Sequence, residues 1–198
     1  MTTMQTAPAA RDDTRGKILD LAELLWLGRG FNGFSYQHIS RELGVKNAAI
    51  HYHFPHKVDL GVELVRRYRR RLARYIEAAA ELDARGQLER FIALSDAYYR
   101  NEQQICPSGS LSAEFHTLPD ALKAEAALFV AEMRAWALAL VRRGREEGAF
   151  APSSSDAEAA DLLYASLQGA LQLARMAPDL LPQVKSALRA QLGIPPGA

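Results

Sequence analysis

Apolar residues recur at helical spacing almost from one end of this chain to the other, and that periodicity restricts its fold more than any other feature. Ile18, Leu21, Ala22 and Leu25 form one stripe, which Trp26 extends. Leu64, Val65, Tyr68, Leu72, Tyr75 and Ile76 lie along one side of a long helix that starts near Lys57. Further helices are predicted at about 86–104, 109–117, 119–147, 155–176 and 179–192. No segment alternates as a strand would, and no internal repeat is found. The expected fold class is all-α, with about nine helices.

The breaks between stripes are as informative as the stripes. Gly28, Gly30 and Gly33 end the first helix. A short second helix is expected from Ser35, an N-cap residue type, to Leu43, with Gly44 closing it. A third is expected from about Asn47 to Phe54, where Pro55 interrupts. Thr117-Leu-Pro-Asp120 has the spacing of a capping box with proline inside the first turn. Residues 148–155 read as a loop, and Pro178 separates the last two helices. The expected division is a disordered tail over 1–11, a helix-turn-helix domain over 12–56, and a larger helical domain over 57–198.

Two short helices joined by a glycine turn have helix-turn-helix proportions. Ile39, Leu43, Val45 and Ile50 fall where such helices pack on each other and on the first helix. The second helix of the unit enters the major groove with its N-terminal residues nearest the bases. Here those are Lys46, Asn47 and Ala48, with His51 one turn on. Lysine donates to guanine, and an asparagine amide pairs with adenine. Ser35, Tyr36, Tyr52, His53 and Lys57 are the expected companions, of which Ser35, Tyr52, His53 and Lys57 are assigned to phosphates.

Charge agrees with that assignment. Residues 1–75 hold 13 Lys+Arg against 7 Asp+Glu, a net +6, while the remaining 11 and 16 leave −5 in the rest of the chain. A basic head on an acidic body suits contact with a polyanion. The arginines at 66, 67, 69, 70, 71 and 74 are read as a solvated face with long-range attraction to DNA rather than a membrane-surface helix. His51 and His53 are two apart on a helix and point about 200° away from each other, which is poor chelating geometry, so no metal site and no cofactor are expected. No window has the length of a membrane-spanning apolar run, and MTTMQTAPAA lacks the basic start and apolar stretch of a signal peptide. With its single cysteine the chain is expected in a reducing cytoplasm.

The stretches Thr14-Arg-Gly-Lys-Ile18-Leu, Gly30-Phe-Asn-Gly-Phe-Ser35, Ile39-Ser-Arg-Glu-Leu-Gly-Val45 and Ile50-His-Tyr-His-Phe54-Pro-His-Lys57-Val-Asp-Leu60 resemble the N-terminal domain of the TetR family of bacterial transcriptional regulators. The family often has tyrosine where this chain has His51 and serine where it has Lys46, which leaves the operator sequence open. The resemblance implies a DNA-binding regulator, usually a repressor. Its partners would be a second copy of the chain, double-stranded operator DNA, and a small effector held by the C-terminal helices.

Within the C-terminal half, Leu162, Leu163, Ala165, Leu167, Ala170, Leu171 and Ala174 give one helix a wide apolar face. Leu180, Leu181, Val184, Leu188 and Leu192 give the last helix another. Pairing of this hairpin with its copy would make a four-helix interface, with Leu167 and Leu171 inside it. Tyr98, Phe115, His116, Phe129, Met133, Trp136 and Gln168 mix aromatic and polar character and are the candidate effector-binding residues. Cys106 joins them, because Cys106-Pro-Ser-Gly109-Ser-Leu111-Ser-Ala-Glu114 resembles a Cys-x-x-Gly-x-Leu-x-x-Glu pattern of TetR-like regulators, some of which respond to electrophiles or oxidants and others to ordinary metabolites. Proline suits the first helical position, so Cys106 is expected at an N-cap; sensing and plain packing both remain open for its thiol. A small helical hydrolase-like enzyme or a ligand-binding protein that does not bind DNA is the alternative, the enzyme from Ser108, Ser110, His116 and Asp120 lying close in sequence, but no nucleophile-elbow or phosphate-loop pattern accompanies them.

Overall fold

A computed structural model describes residues 8–100, 104 and 106–195, with the backbone alone described for residues 8–12. Among them are nine α-helices: α1 (Pro8–Arg29), α2 (Tyr36–Leu43), α3 (Asn47–His53), α4 (Lys57–Glu77), α5 (Ala84–Arg100), α6 (Pro107–Ala113), α7 (Asp120–Glu146), α8 (Asp156–Leu173) and α9 (Leu180–Gln191). One 3-10 turn, Phe115–Thr117, follows α6. The described residues contain no strand and no helix long and apolar enough to cross a membrane.

Three expectations need correction. Helix α1 begins at Pro8, so residues 8–11 are helical rather than part of a disordered tail, while residues 1–7 lie outside the described residues. Proline and two alanines are a favourable helix start. The helix expected over 109–117 is two pieces, because Glu114 leaves helical geometry (φ −104°, ψ 7°) after Ala113; the 3-10 turn that follows stops at Leu118, which precedes Pro119 and is extended (φ −71°, ψ 145°). For the same reason Pro119 is the N-cap of α7 rather than a first-turn residue, and Thr117 Oγ1 donates to the carbonyl of Glu114 instead of capping α7.

The head is α1–α3 closed by the start of α4. Ile18, Ala22 and Trp26 of α1, Ile39 of α2 and Ile50 of α3 are buried at its centre, while Leu43 and Val45 are half-buried beside them. Gly44 ends α2 in the left-handed region (φ 65°), which lets α3 turn back across α2 without a Cβ clash. Leu60 and Leu64 of α4 are fully buried in the same core, so α4 belongs to head and body alike. In the body, α7 is the central helix and packs on α4, α5, α6 and α8, while α9 covers α8 from outside. Three arginines of α4 tie the two parts together: Arg67 bonds Asp20 and Arg71 bonds Glu23 on α1, and Arg69 bonds Glu125 and Glu132 on α7. Arg66 also bonds Glu125, and Arg70 bonds Glu63 within α4. Arg66, Arg67, Arg69 and Arg71 are therefore interhelical ties, and Arg70 and Arg74 remain on the exposed face of α4.

Candidate functional site

On α3, burial separates support from reading surface. Ile50 faces the core, while Lys46, Asn47, Ala48, His51 and Tyr52 are exposed; Tyr52 is exposed to 67%. Lys46 is the N-cap in extended conformation, which carries its side chain and those of the next two residues to the leading edge of the helix. The side chains of Lys46 and Asn47 have no hydrogen-bond or ionic partner among the described residues. The Nδ1 of His51 lies 3.0 Å from the carbonyl oxygen of Pro55, and its ring stands edge-on to Tyr36 with centroids 4.8 Å apart. A carbonyl only accepts, so Nδ1 is the donor in this contact, which leaves Nε2 for a partner outside the chain.

Not every head residue reaches this edge. Ser35 is exposed at the N-cap of α2, and its backbone N–H donates to Nδ1 of His38. His53 is half-buried beside Tyr52, their ring centroids 5.1 Å apart. Tyr36 is buried, and its hydroxyl donates to the carbonyl of Phe54 at 2.8 Å. Burial, with the Asp59 carboxylate adding to it, pushes that hydroxyl's pKa well above the usual range. Lys57 turns inward: its ammonium donates to the carbonyls of Phe31 and Phe34 and lies 4.6 and 4.4 Å from the centroids of their rings. Both residues brace the head from within: Lys57 serves the carbonyls and aromatic faces of the loop 30–35, and Tyr36 serves the carbonyl that ends α3.

The same loop is held from the body. Glu114, the residue that closes α6, accepts from the backbone N–H groups of Phe31 (2.5 Å) and Asn32 (2.9 Å), and Asn32 donates its side-chain amide to Thr117. Gly30 sits against that carboxylate with φ 79°; a Cβ there would lie 2.8 Å from Glu114. The pattern ending in Glu114 thus links α6 to the head.

A cavity of about 130 Å³ lies in the body between α4, α5, α7 and α8. Tyr98, Cys106, Phe129, Met133 and Gln168, all expected from sequence, line it. Trp136 packs one layer behind, its ring 4.7 Å from Phe91 and 5.9 Å from Tyr75, centroid to centroid. Phe115 and His116 are exposed on the 3-10 turn and do not contribute, because the helix expected to carry them inward ends at Ala113. Sequence reasoning missed Tyr68 and Arg71 of α4, Tyr75, Ser95, Tyr164, and the leucines at 167 and 171. The wall is apolar apart from a few groups. The Tyr68 hydroxyl and the Oε1 of Gln168 are buried with no partner among the described residues. Burial raises the Tyr68 and Tyr98 hydroxyls well above the usual tyrosine range and raises Tyr164 to about 12, against a lowering contact with Ser108. All three stay protonated donors at neutral pH.

Cys106 is the N-cap of α6 with Pro107 at the first position, as expected, and is buried with its Sγ 3.2 Å from the hydroxyl of Ser108. Ser108 and Ser110 are buried whereas His116 and Asp120 are exposed, and no hydrogen bond joins the two sets. The enzyme-like constellation is therefore not assembled. Among the described residues no three His, Cys, Asp or Glu side chains are placed to hold a metal ion.

A helix-turn-helix head whose closing helix also walls a cavity in the body has the architecture of a DNA-binding regulator. Two family models agree: "Bacterial regulatory proteins, tetR family" matches residues 18–64, and "Tetracyclin repressor-like, C-terminal domain" matches residues 85–188. The chain belongs to the TetR family and is a transcriptional regulator. A TetR-family regulator from Agrobacterium tumefaciens is similar at 26% identity, with a TM-score of 0.87 over 92% of this chain and 98% of that one. A TetR regulator from Legionella pneumophila (24%, TM-score 0.80, 96% and 100%) and the reduced form of E. coli NemR (22%, 0.78, 92% and 99%) share the fold. The search of curated proteins found no match.

Proposed function

We propose that this regulator acts as a homodimeric repressor that holds a palindromic operator through α3 and releases it when the body cavity is filled. The observation that carries the DNA half is the exposed leading edge of α3, where Lys46, Asn47 and His51 present uncommitted polar groups on a helix backed by a rigid core. Lys46 suits guanine O6 or N7, Asn47 suits adenine, and the Nε2 of His51 suits a base edge one turn further along the helix. Ser35, Tyr52 and His53 flank this edge as phosphate contacts. Operator binding by Lys46→Ala, Asn47→Ala and His51→Ala, measured by gel shift on a site selected from random DNA, is expected to weaken by about 1–3 kcal/mol each and to lose discrimination at distinct base pairs. If all three variants bind the selected site as the parent does, α3 is not the reading helix.

The cavity supports the effector half. Its volume suits a small molecule, its wall is mainly apolar, and a buried hydroxyl without a partner marks a place for a ligand acceptor. Cys106 belongs to that wall, so a reactive electrophile would have to occupy the same chamber before meeting its sulfur. Cys106→Ser then separates the two kinds of effector: loss of release by an aldehyde or quinone marks sensing through the thiol, and retained release marks a reversible ligand. The assembly is assigned to α8 and α9, but not through the residues first expected. Leu167 and Leu171 are buried in the monomer and line the cavity. The face left to a second copy is Leu162, Ala165, Gly169 and Leu173 of α8, continued by Met176, with Leu162 and Leu173 each 48% exposed. Two heads held about 34–36 Å apart would meet successive turns of the major groove.

A further inference from the structure

We propose that the cavity takes a small apolar carboxylate, and that this ligand competes with Glu23 of α1 for the guanidinium of Arg71. The inference rests on the cavity being the effector site. Size sets the first limit: apolar cavities of about 150 Å³ hold benzene, so about 130 Å³ encloses no more than about one ring, and any substituent has to lie at the mouth beside Arg71. Leu72, Phe91, Phe129, Met133, Leu167 and Leu171 supply the apolar wall for that ring.

Chemistry sets the second limit. The polar groups on the α4 side of the cavity are donors. Tyr68 presents a buried hydroxyl that no described residue accepts from, and Arg71 brings a guanidinium to the mouth, where its side chain is 41% exposed. Tyr68 and Arg71 stand three apart on α4 and so share one face of that helix, which brings hydroxyl and guanidinium to the same part of the cavity wall. A ligand that satisfies a hydroxyl and a guanidinium together offers two acceptor oxygens at one carbon, and a carboxylate does so with charge.

The third point is what the guanidinium already holds. Arg71 Nη1 donates to Glu23 Oε1 at 2.6 Å, and this ion pair joins the cavity wall to the helix that supports α3. Glu23 also has Arg67 Nε at 3.9 Å. When a ligand carboxylate takes Arg71, Glu23 keeps a cation beside it and no buried charge is left unpaired, which is the usual cost of breaking such a pair. The exchange replaces one carboxylate by another at Arg71 and cuts one tie between α1 and α4, and the added negative charge at the mouth is shared between Arg71 and Arg67. A neutral ligand of the same shape fills the cavity without cutting it.

The test titrates the full chain with benzoate and with its neutral counterpart benzamide, by calorimetry and by anisotropy of a labelled operator selected from random DNA. Benzoate is expected to bind at least about tenfold more tightly than benzamide and to release the operator. Arg71→Gln is expected to erase that preference and leave benzamide binding unchanged, which also shows that the variant is folded; Arg71→Lys should restore part of it. Glu23→Gln is expected to tighten benzoate binding, because the internal competitor is gone; a Glu23 with only a structural role would not produce tightening. Equal affinity for the two compounds, no binding of either, or a Glu23→Gln variant with unchanged or weaker benzoate affinity overturns the proposal. Operator binding by the unliganded protein separates the two levels: if it holds while benzoate fails, the ligand class alone is wrong, and if it fails as well, the regulator assignment falls with it.

Discussion

Lys57 shows how far a single side chain can depart from what its position suggests. It opens α4 next to the reading helix, where a lysine is well placed for phosphate, yet its ammonium is spent on the carbonyls of Phe31 and Phe34 and on their ring faces. Burial lowers its pKa, partly countered by the Glu114 carboxylate. Lys57→Met should therefore act on the head's stability. Loss of charge-assisted hydrogen bonds in a half-buried site is expected to cost about 2 kcal/mol in chemical denaturation, while the salt dependence of operator binding stays as in the parent. A variant of unchanged stability whose salt slope drops by about one would return Lys57 to the phosphate backbone. The sequence made the position legible, because four motif blocks fix where Lys57 falls. The direction of the side chain was not legible, because nothing in a periodicity says which distant carbonyls lack donors. Tyr36 repeats the lesson: its place beside Ser35 suggested DNA, but the Phe54 carbonyl claims its hydroxyl.

At the scale of elements, helix existence and order were readable because each stripe is long and the punctuation is Gly and Pro. The exception is α6, where Leu111 and Phe115 are four apart and look like one helical face. Helix α6 stops at Ala113, and Glu114 binds amides in another part of the chain, at Phe31 and Asn32. Such a contact leaves no trace in local spacing. The seam between α4 and α7 is equally nonlocal, and it carries a pH dependence. Burial alone would raise the Glu125 carboxyl, but hydrogen bonds from Arg66 and Arg69 outweigh it and hold its pKa below the ordinary 4.5. Stability from this group is therefore fully present above the unfolded value and is lost as pH falls through the lower folded value. Glu63, held down by Arg70 and Arg15 against the effect of burial, adds in the same sense. Glu125→Gln should lower the melting temperature by a few degrees at pH 7 and should flatten the acid limb below about pH 4.5. Thermal melts from pH 7 to pH 3 check this; parallel curves for parent and variant would mean that the seam does not titrate as a pair.

For the whole molecule, the open question in the sequence was which side of the α8–α9 hairpin faces inward. A run such as Leu162-Leu163, followed by Leu167 and Leu171, contains two apolar faces on one helix, and composition cannot say which covers the chain's own core. The fold assigns them: Leu163, Leu167 and Leu171 are buried against α7 and the cavity, while Leu162 and Leu173 stand at the surface with the small residues Ala165 and Gly169 between them. Spacings of three and four residues put that outer set on one stripe, and small residues between leucines allow close approach of a second helix. Asp placed at Leu173 should leave each monomer folded, because the side chain is half in water already, yet it would put two carboxylates near a two-fold axis. Sedimentation is expected to show monomers, and operator affinity is expected to fall by two or more orders of magnitude, about 10²–10⁴, because the two half-sites are no longer linked. Asp at Leu167 should instead destabilise the monomer itself, by about 3 kcal/mol or more, through a charge in its own core. The pair of variants reads the orientation of α8 directly. A folded monomer from Leu167→Asp together with an intact dimer from Leu173→Asp would mean that α8 presents the opposite face to its partner.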